Sequence, residues 1–256
     1  MHDGVEFTSA DVCFTLDFIQ SEAGAAVYNQ TDYMGIIECQ MPDPYTVVFV
    51  WDKVFAAYAT LFDTVLPKHV LEGQDVLTYD AYNRSPLGTG PFKFVEWKSG
   101  EYIRVEKNTD YWRGDEYPMV DEIVFNFIPD PNTRVNALKA GEYDLGQILP
   151  NQVKEVADLA GYKVDLVPAN SWIIFEVNVA TERGQKLFSD PNVRKALFHA
   201  IDRQAIVDGL MEGTVQIANS GISPTSPYHN PDVPVYEYDP AKAAQMLDEA
   251  GWVPGA

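Results

Sequence analysis

Aspartate–proline pairs stand at the starts of three segments with helical patterns. They are Asp130-Pro131, Asp190-Pro191 and Asp239-Pro240. Aspartate accepts hydrogen bonds from the free amides of a first helical turn, and proline suits the first helical position because no donor is needed there. Gly141 and Gly251 follow the first and third segments, where glycine commonly ends a helix. The sequence therefore predicts three helices with defined starts.

Alternating or β-branched runs lie before these helices, as expected of strands. They are Gly35 to Cys39, Thr46 to Trp51, Phe92 to Trp97, Tyr102 to Glu106 and Ile123 to Phe127. Met41-Pro42-Asp43-Pro44 predicts a hairpin turn between the first two. Thr8 or Ser9 is predicted to cap an amphipathic helix near the start of the chain. Strands mixed with helices predict an α/β (mixed α+β) fold.

The charge and length of the chain exclude several classes of partner. Its 256 residues, 46% of them hydrophobic, are enough to bury a sizeable core. A formal net charge of -20 repels phosphates and anionic headgroups, so no nucleic-acid partner is predicted. No apolar run approaches the roughly 18 residues of a membrane span, and Met1 to Gly4 lack the pattern of a signal peptide. We therefore expect neither a span nor a leader in this chain.

Cys13 and Cys39 are the two cysteines of the chain. Neither lies in a CxxC pair or beside a histidine, so no metal site is predicted from them. Because unpaired cysteines are usually buried, we interpret both as small apolar core residues with free thiols. A Cys13–Cys39 bridge is the alternative, which an exported protein would allow.

Residues that would indicate catalysis are not grouped in this sequence. The four histidines lie in no HExxH motif, and no GxSxG serine elbow is present. His199, within a predicted helix, is interpreted as a buried structural residue. Gly88-Thr89-Gly90 is interpreted as a turn, since no Gly-Lys-Ser/Thr follows it. The sequence predicts neither an enzyme nor a cofactor.

Short motifs in a fixed order resemble one known family. They include His2-Asp3-Gly4-Val5-Glu6-Phe7-Thr8, Pro67-Lys68-His69, Pro86-Leu87-Gly88-Thr89-Gly90-Pro91-Phe92, Asn108-Thr109-Asp110-Tyr111-Trp112, Asp190-Pro191-Asn192-Val193-Arg194 and Ala250-Gly251-Trp252. In this order they resemble the family 5 extracytoplasmic solute-binding proteins, the oligopeptide-, dipeptide- and nickel-binding components of ATP-driven importers. Ser9 is an extra residue relative to the family's first motif. The likeness extends over nearly the whole chain.

The resemblance implies a periplasmic-binding-protein-like architecture with two lobes, of the class II type, here truncated at both ends. Residues 1–84 would form a smaller lobe with a helix and a β-hairpin. Residues 85–168 would form the central part of the first main lobe, and residues 169–256 the beginning of the second main lobe. Segments around Ser85 and Pro168 are expected to act as hinges for closure.

The function that the resemblance implies is delivery of a small solute, with short peptides preferred, to the membrane permease of an importer. Such a protein is periplasmic or attached to the cell surface. Metal chelates and oligosaccharides are alternative solutes, and a partner or chaperone-like module without a transport role is an alternative function. No grouped His or Cys favours binding of a bare metal ion.

Family position implies a set of residues near a ligand cleft between lobes. They are Gln147, Asn170, Ser171, Trp172 and, in the smaller lobe, Tyr28. Trp172 begins an apolar run that is predicted to be a strand. Its indole ring is expected to stack on a ligand, while the neighbouring side chains of Asn170 and Ser171 supply hydrogen bonds. Packing of Trp172 into the core is the alternative.

Overall fold

A computed structural model describes residues 1–167 and 171–253. Contacts between residues divide the chain into two compact units, Met1–Phe127 and Ile128–Ala256. The first unit contains both helices and strands, the described part of the second contains helices without a strand, and the predicted mixed α/β fold is confirmed for the chain. The lobe boundaries expected after residues 84 and 168 stay a prediction.

The first unit contains four helices and five strands. The helices are α1 Ser9–Gln20, α2 Gln30–Tyr33, α3 Lys68–Leu71 and α4 Asp80–Asn83, with 3₁₀ turns at Ala23–Ala26 and Tyr58–Thr60. The strands are β1 Ile36–Asp43, β2 Thr46–Trp51, β3 Phe92–Lys98, β4 Tyr102–Lys107 and β5 Glu122–Asn126. All five predicted strands are therefore present, with ends that differ by a few residues.

Helix α1 begins at a capping box, as its sequence predicts. The Thr8 hydroxyl accepts a hydrogen bond from the Ala10 amide, and the Asp11 carboxylate accepts one from the Thr8 amide at 2.8 Å. The second oxygen of Asp11 accepts from the Lys68 amide at 2.9 Å. One buried carboxylate thus holds both the start of α1 and the start of α3.

Strands β1 and β2 pair antiparallel as the predicted hairpin, but the turn differs from the prediction. It lies at Pro44 and Tyr45, because the Asp43 side chain accepts from the Tyr45 amide at 2.8 Å and closes a local turn there. Pro42 remains in the strand, where the ladder shifts register between Gln40 and Asp43. A shifted register tolerates a residue that has no amide donor.

The prediction of free thiols at Cys13 and Cys39 is wrong. The two residues form a disulfide that joins α1 to β1, with their Cα atoms 5.9 Å apart. Both Leu16 and Ile19 of α1 lie in the core cluster that Cys39 packs against, so the helix rests on the hairpin. This packing brings the two sulfurs together, which sequence spacing alone does not indicate.

Strands β3, β4 and β5 form an antiparallel sheet in that order. Val105 of β4 pairs with Phe94 on one side and with Ile123 on the other. Gly100 adopts a positive φ of 78° in the turn between β3 and β4, a conformation that glycine tolerates. The alternation read from the sequence therefore predicts this sheet correctly.

The second unit contains six helices in the described residues. They are α5 Pro131–Lys139, α6 Val153–Val156, α7 Glu182–Phe188, α8 Pro191–Ala200, α9 Arg203–Gly209 and α10 Pro240–Glu249, with a 3₁₀ turn at Pro150–Gln152. The carboxylates of Asp130, Asp190 and Asp239 accept amide hydrogen bonds at the starts of α5, α8 and α10. The three predicted helices and their caps are confirmed.

Two apolar contacts hold this unit together. Val135, Leu138 and Val156 form a buried cluster between α5 and α6. Helices α8 and α10 pack against each other, and Ala196 and Ala243 are buried on them. Small side chains at such a contact let two helices approach closely.

The apolar run that begins at Trp172 is not a strand, contrary to the prediction. Residues 171–179 form neither helix nor strand, and no described strand pairs with them. β propensity supplies an extended backbone, but a ladder also needs a neighbouring strand. No helix in residues 1–167 or 171–253 is long and apolar enough to cross a bilayer.

Candidate functional site

Trp172 is positioned against the loop that contains Gly221. A Cβ atom placed on Gly221 would lie 3.9 Å from Cζ2 of the indole, so the ring contacts this loop where it lacks a side chain. The Trp172 side chain remains 45% exposed. The residue is therefore neither fully buried in a core nor free in solvent. Such a ring presents an apolar surface that is held in place on one side.

The loop beside Trp172 is ordered by its own polar side chains. Ser220 donates through Oγ to the Ile222 carbonyl at 2.9 Å and accepts from the Ile222 amide at 3.1 Å. His229 makes a hydrogen bond through Nδ1 to the same carbonyl at 2.9 Å. Because a carbonyl only accepts, Nδ1 carries the proton, which leaves Nε2 of the neutral ring as an acceptor.

Arg203 connects this loop to the helices behind it. Its guanidinium donates to the Tyr236 carbonyl at 2.6 Å and to the Ala218 carbonyl at 3.3 Å. Ala218 precedes Ser220 by two residues, so Arg203 holds the entry to the loop. A planar guanidinium can donate to two carbonyls at once. Arg203 is therefore a positioning residue for the loop that contains Gly221.

His199 has the structural role that its sequence context predicts. The side chain is buried, and Nδ1 is hydrogen-bonded to the Glu237 carbonyl at 2.7 Å. Its ring also meets the Tyr236 ring edge-on, while Phe198 stacks on Tyr236 at 5.2 Å. Together with Arg203, these contacts fix residues 236–237 against α8 and α9.

Of the other four predicted site residues, the structure describes Gln147, Ser171 and Tyr28. Ser171 and Gln147 are exposed, and within the described chain no hydrogen bond joins Gln147 to Ser171 or Trp172. Asn170 lies outside the described residues. Tyr28 belongs to the first unit, where its side chain is fully exposed. The structure places Trp172 beside Gly221, and a ligand-binding role for any of the five residues stays a prediction.

Sequence reasoning missed Gly221 as a neighbour of Trp172. The proline-rich stretch from Ile222 to Pro234 contains neither helix nor strand and lies between α9 and α10. Local patterns indicate that such a loop is ordered, but they carry no information on the distant residue that it contacts.

Within residues 1–167 and 171–253, no group of three or more His, Cys, Asp and Glu side chains is arranged to hold a metal ion. Two of the histidines make hydrogen bonds within the first unit. His69 pairs with Asp3 at 2.7 Å, and His2 bonds to the Gly90 carbonyl at 3.0 Å. The chemistry available around Trp172 is stacking and neutral hydrogen bonding, which suits recognition of a solute.

Comparison with known proteins places the chain in a family. A family model described as bacterial extracellular solute-binding proteins, family 5 Middle, matches residues 2–256. The chain belongs to this family. The resemblance inferred from the ordered motifs is therefore confirmed.

Individual family 5 proteins match over nearly all of the chain. The oligopeptide-binding protein AppA of Bacillus subtilis is 35% identical over 98% of this chain and 46% of its own length. The crystal structure of B. subtilis AppA in complex with a nonapeptide has a TM-score of 0.78 at 31% identity, and the match covers 99% of this chain and 50% of that one. The periplasmic binding protein DppA of Helicobacter pylori, in complex with the peptide STSA, has a TM-score of 0.80 at 29% identity, covering 97% and 50%. The chain thus spans about half the length of the relatives it matches.

Proposed function

We propose that this chain is part of an extracytoplasmic solute-binding protein that captures short peptides for an ATP-driven importer. The observation that carries the proposal is the family 5 match over residues 2–256, together with relatives that are oligopeptide-binding proteins or whose structures contain a bound peptide. The protein acts by binding and release rather than by catalysis. Its partner at the membrane is the permease of the importer.

The Cys13–Cys39 disulfide supports the extracytoplasmic location. Disulfides persist in oxidising compartments and are rare in the reducing cytosol. This one is held between α1 and β1, next to the buried cluster of the first unit. The location proposed from the family therefore has independent chemical support within the chain.

Trp172 is the ligand-contacting residue in this proposal, with Ser171 beside it. The indole lies beside Gly221 and is 45% exposed, so it offers an apolar face to a peptide side chain. Gln147, Asn170 and Tyr28 remain proposed contacts on family position. The lobe arrangement and the hinges at Ser85 and Pro168 are also proposed from the family. Pro168 lies outside the described residues.

Thermal melting with and without a pool of short peptides tests the proposal, on this chain and on the full-length gene product. A ligand at ~100 times its dissociation constant adds ~2.7 kcal/mol to the free energy of unfolding. The variant Trp172→Ala should lose most of the peptide-induced shift, while Trp112→Ala, which removes a 75% exposed indole in the first unit, should keep it.

Other results of this experiment would assign a different solute class or a different function. A shift with nickel–histidine or with oligosaccharides but not with peptides would assign the solute to that class instead. A protein that responds to none of the three would favour a partner module without a transport role.

A further inference from the structure

Three hydrogen bonds tie His2 to the turn from Gly88 to Gly90, which leads into β3. The His2 amide donates to the Gly88 carbonyl at 2.9 Å, and Nε2 of the ring bonds to the Gly90 carbonyl at 3.0 Å. The Gly88 amide donates to Nδ1 of the same ring at 3.4 Å. One residue thus connects the segment before α1 to the start of the three-stranded sheet.

These contacts define the charge state of the His2 ring. A carbonyl oxygen only accepts, so Nε2 carries a proton, and an amide only donates, so Nδ1 carries none. The ring is therefore neutral in this arrangement. Uptake of a second proton would place an N–H of the ring against the N–H of Gly88, and the hydrogen bond between them would be lost.

The turn from Gly88 to Gly90 has a second anchor, which does not titrate. Asn108 follows β4 and is buried. It donates through Nδ2 to the Gly90 carbonyl at 3.0 Å and through its amide to the Pro91 carbonyl at 2.9 Å. The turn therefore stays attached to the sheet when His2 is protonated, and the change is confined to the contact with His2.

Asp3, the next residue, attaches the same segment to α3. Its carboxylate pairs with Nε2 of His69 at 2.7 Å and accepts from the Val5 amide at 3.0 Å. Burial raises the pKa of Asp3, but the hydrogen bonds from His69 and Val5 outweigh burial and hold the pKa below its usual value. A carboxyl with a lowered pKa loses its contribution to stability only as pH falls below about 4. Asp3 is therefore an anion where histidines titrate, between about pH 5 and 8, and protonation of His69 strengthens this pair.

Charged groups on the segments around the two histidines already have partners. The turn from Gly88 to Gly90 carries no charge. Carboxyl and lysine side chains ordinarily titrate outside the range from about pH 5 to 8. The charged groups are Glu6, bonded to the Tyr45 hydroxyl, Lys68 and Glu72 of α3, which pair with each other, Asp110, paired with Lys93, and the Met1 nitrogen, bonded to the Val5 carbonyl.

We propose that His2 is a pH-sensitive latch between the segment before α1 and the turn before β3. The neutral ring closes the latch. The protonated ring gives up the Gly88 contact, while Asp3 and His69 keep the segment on α3. Acidification therefore shifts the anchoring of residues 2–3 from the sheet to the helix. The latch is independent of the proposed solute binding.

Amide NMR spectra of the isotope-labelled chain, recorded between about pH 5 and 8, test the latch. The Gly88 amide resonance should move in one step that coincides with protonation of the His2 ring, followed through its ring nitrogen resonances. Hydrogen-exchange protection of the Gly88 amide, corrected for the intrinsic rate, should fall about twofold to tenfold across this step, as expected for the loss of one hydrogen bond. The Val5 amide, which donates to Asp3, should keep its protection.

The variant His2→Gln separates the latch from the other titrating groups. Glutamine donates and accepts hydrogen bonds without titrating, and the variant leaves Met1 and His69 in place, so the Gly88 step should disappear. His229→Gln removes a histidine of the second unit and should leave the step unchanged. A Gly88 amide that does not move with His2 in the parent, or a step that persists in His2→Gln, would overturn the proposal. The parent spectra decide alone if His2→Gln does not fold.

Discussion

Cys13 of α1 and Cys39 of β1 are bonded through their sulfurs, at a Cα separation of 5.9 Å and a sequence separation of 26. The bond closes a loop that contains the end of α1, α2 and the start of the hairpin. Closing a loop of this length removes conformational freedom mainly from the unfolded chain. The helix and the hairpin are therefore connected covalently as well as by their shared apolar cluster.

Removing this disulfide should destabilise the first unit. The double variant Cys13→Ser, Cys39→Ser should lose about 2–4 kcal/mol of unfolding free energy, measured by urea denaturation. Reductant should lower the stability of the parent and leave that of the double variant unchanged. Equal stability of the parent with and without reductant would contradict the prediction.

The stability that the Asp130 cap of α5 contributes should depend on pH. The backbone amide of Thr133, followed by its hydroxyl, holds the pKa of Asp130 below its usual value. A carboxyl whose pKa is lower in the folded state stabilises the fold above its unfolded pKa of about 3.8 and loses that effect as pH falls through the folded value. The melting-temperature difference between the parent and Asp130→Ala should therefore be constant from about pH 7 to 5 and shrink below about pH 4. Asp130→Asn, which accepts hydrogen bonds without titrating, should show no such loss on acidification.

Arg203 should matter for its two carbonyl contacts rather than for its charge. Arg203→Lys keeps the charge but cannot reach both the Tyr236 and the Ala218 carbonyl, so we expect a loss of about 1–3 kcal/mol. Urea denaturation measures the loss, and hydrogen exchange should show faster exchange in residues 218–222. Lys195→Met, at an exposed position on α8, is the control and should change stability by less than about 0.5 kcal/mol.

The cluster between α5 and α6 should respond strongly to truncation. Leu138 is 6% exposed, and Leu138→Ala should cost about 2–5 kcal/mol because a cavity replaces the lost side chain. Leu145→Ala removes the same atoms at a 93% exposed position and should cost less than about 0.5 kcal/mol. Similar losses for the two variants in urea denaturation would show that this cluster does not stabilise the unit.

Features that depend on neighbouring residues in sequence were predictable. Asp130, Asp190 and Asp239 cap their helices because the side chain, the proline and the first amides lie within a few residues of each other. The sheet of β3, β4 and β5 follows from alternation and short turns. The family could also be inferred, since its motifs are local and their order is part of the sequence.

Features that join distant residues were not predictable in the same way. The disulfide joins Cys13 to Cys39 across 26 residues, and their spacing in sequence did not indicate the pairing. The run after Trp172 has the composition of a strand, yet a strand forms only where another backbone is available to pair with it. Nothing in its own residues indicates whether such a partner is present.

The sequence by itself determined where α1, α5, α8 and α10 begin, which segments form the two sheets, and to which family the chain belongs, because caps, alternation and short motifs act over a few residues. The tertiary structure alone decided that Cys13 meets Cys39 and that Trp172 rests on Gly221. Both contacts arise when separate elements pack their apolar faces together. Their geometry depends on how the whole chain folds back on itself, which no short stretch of sequence specifies.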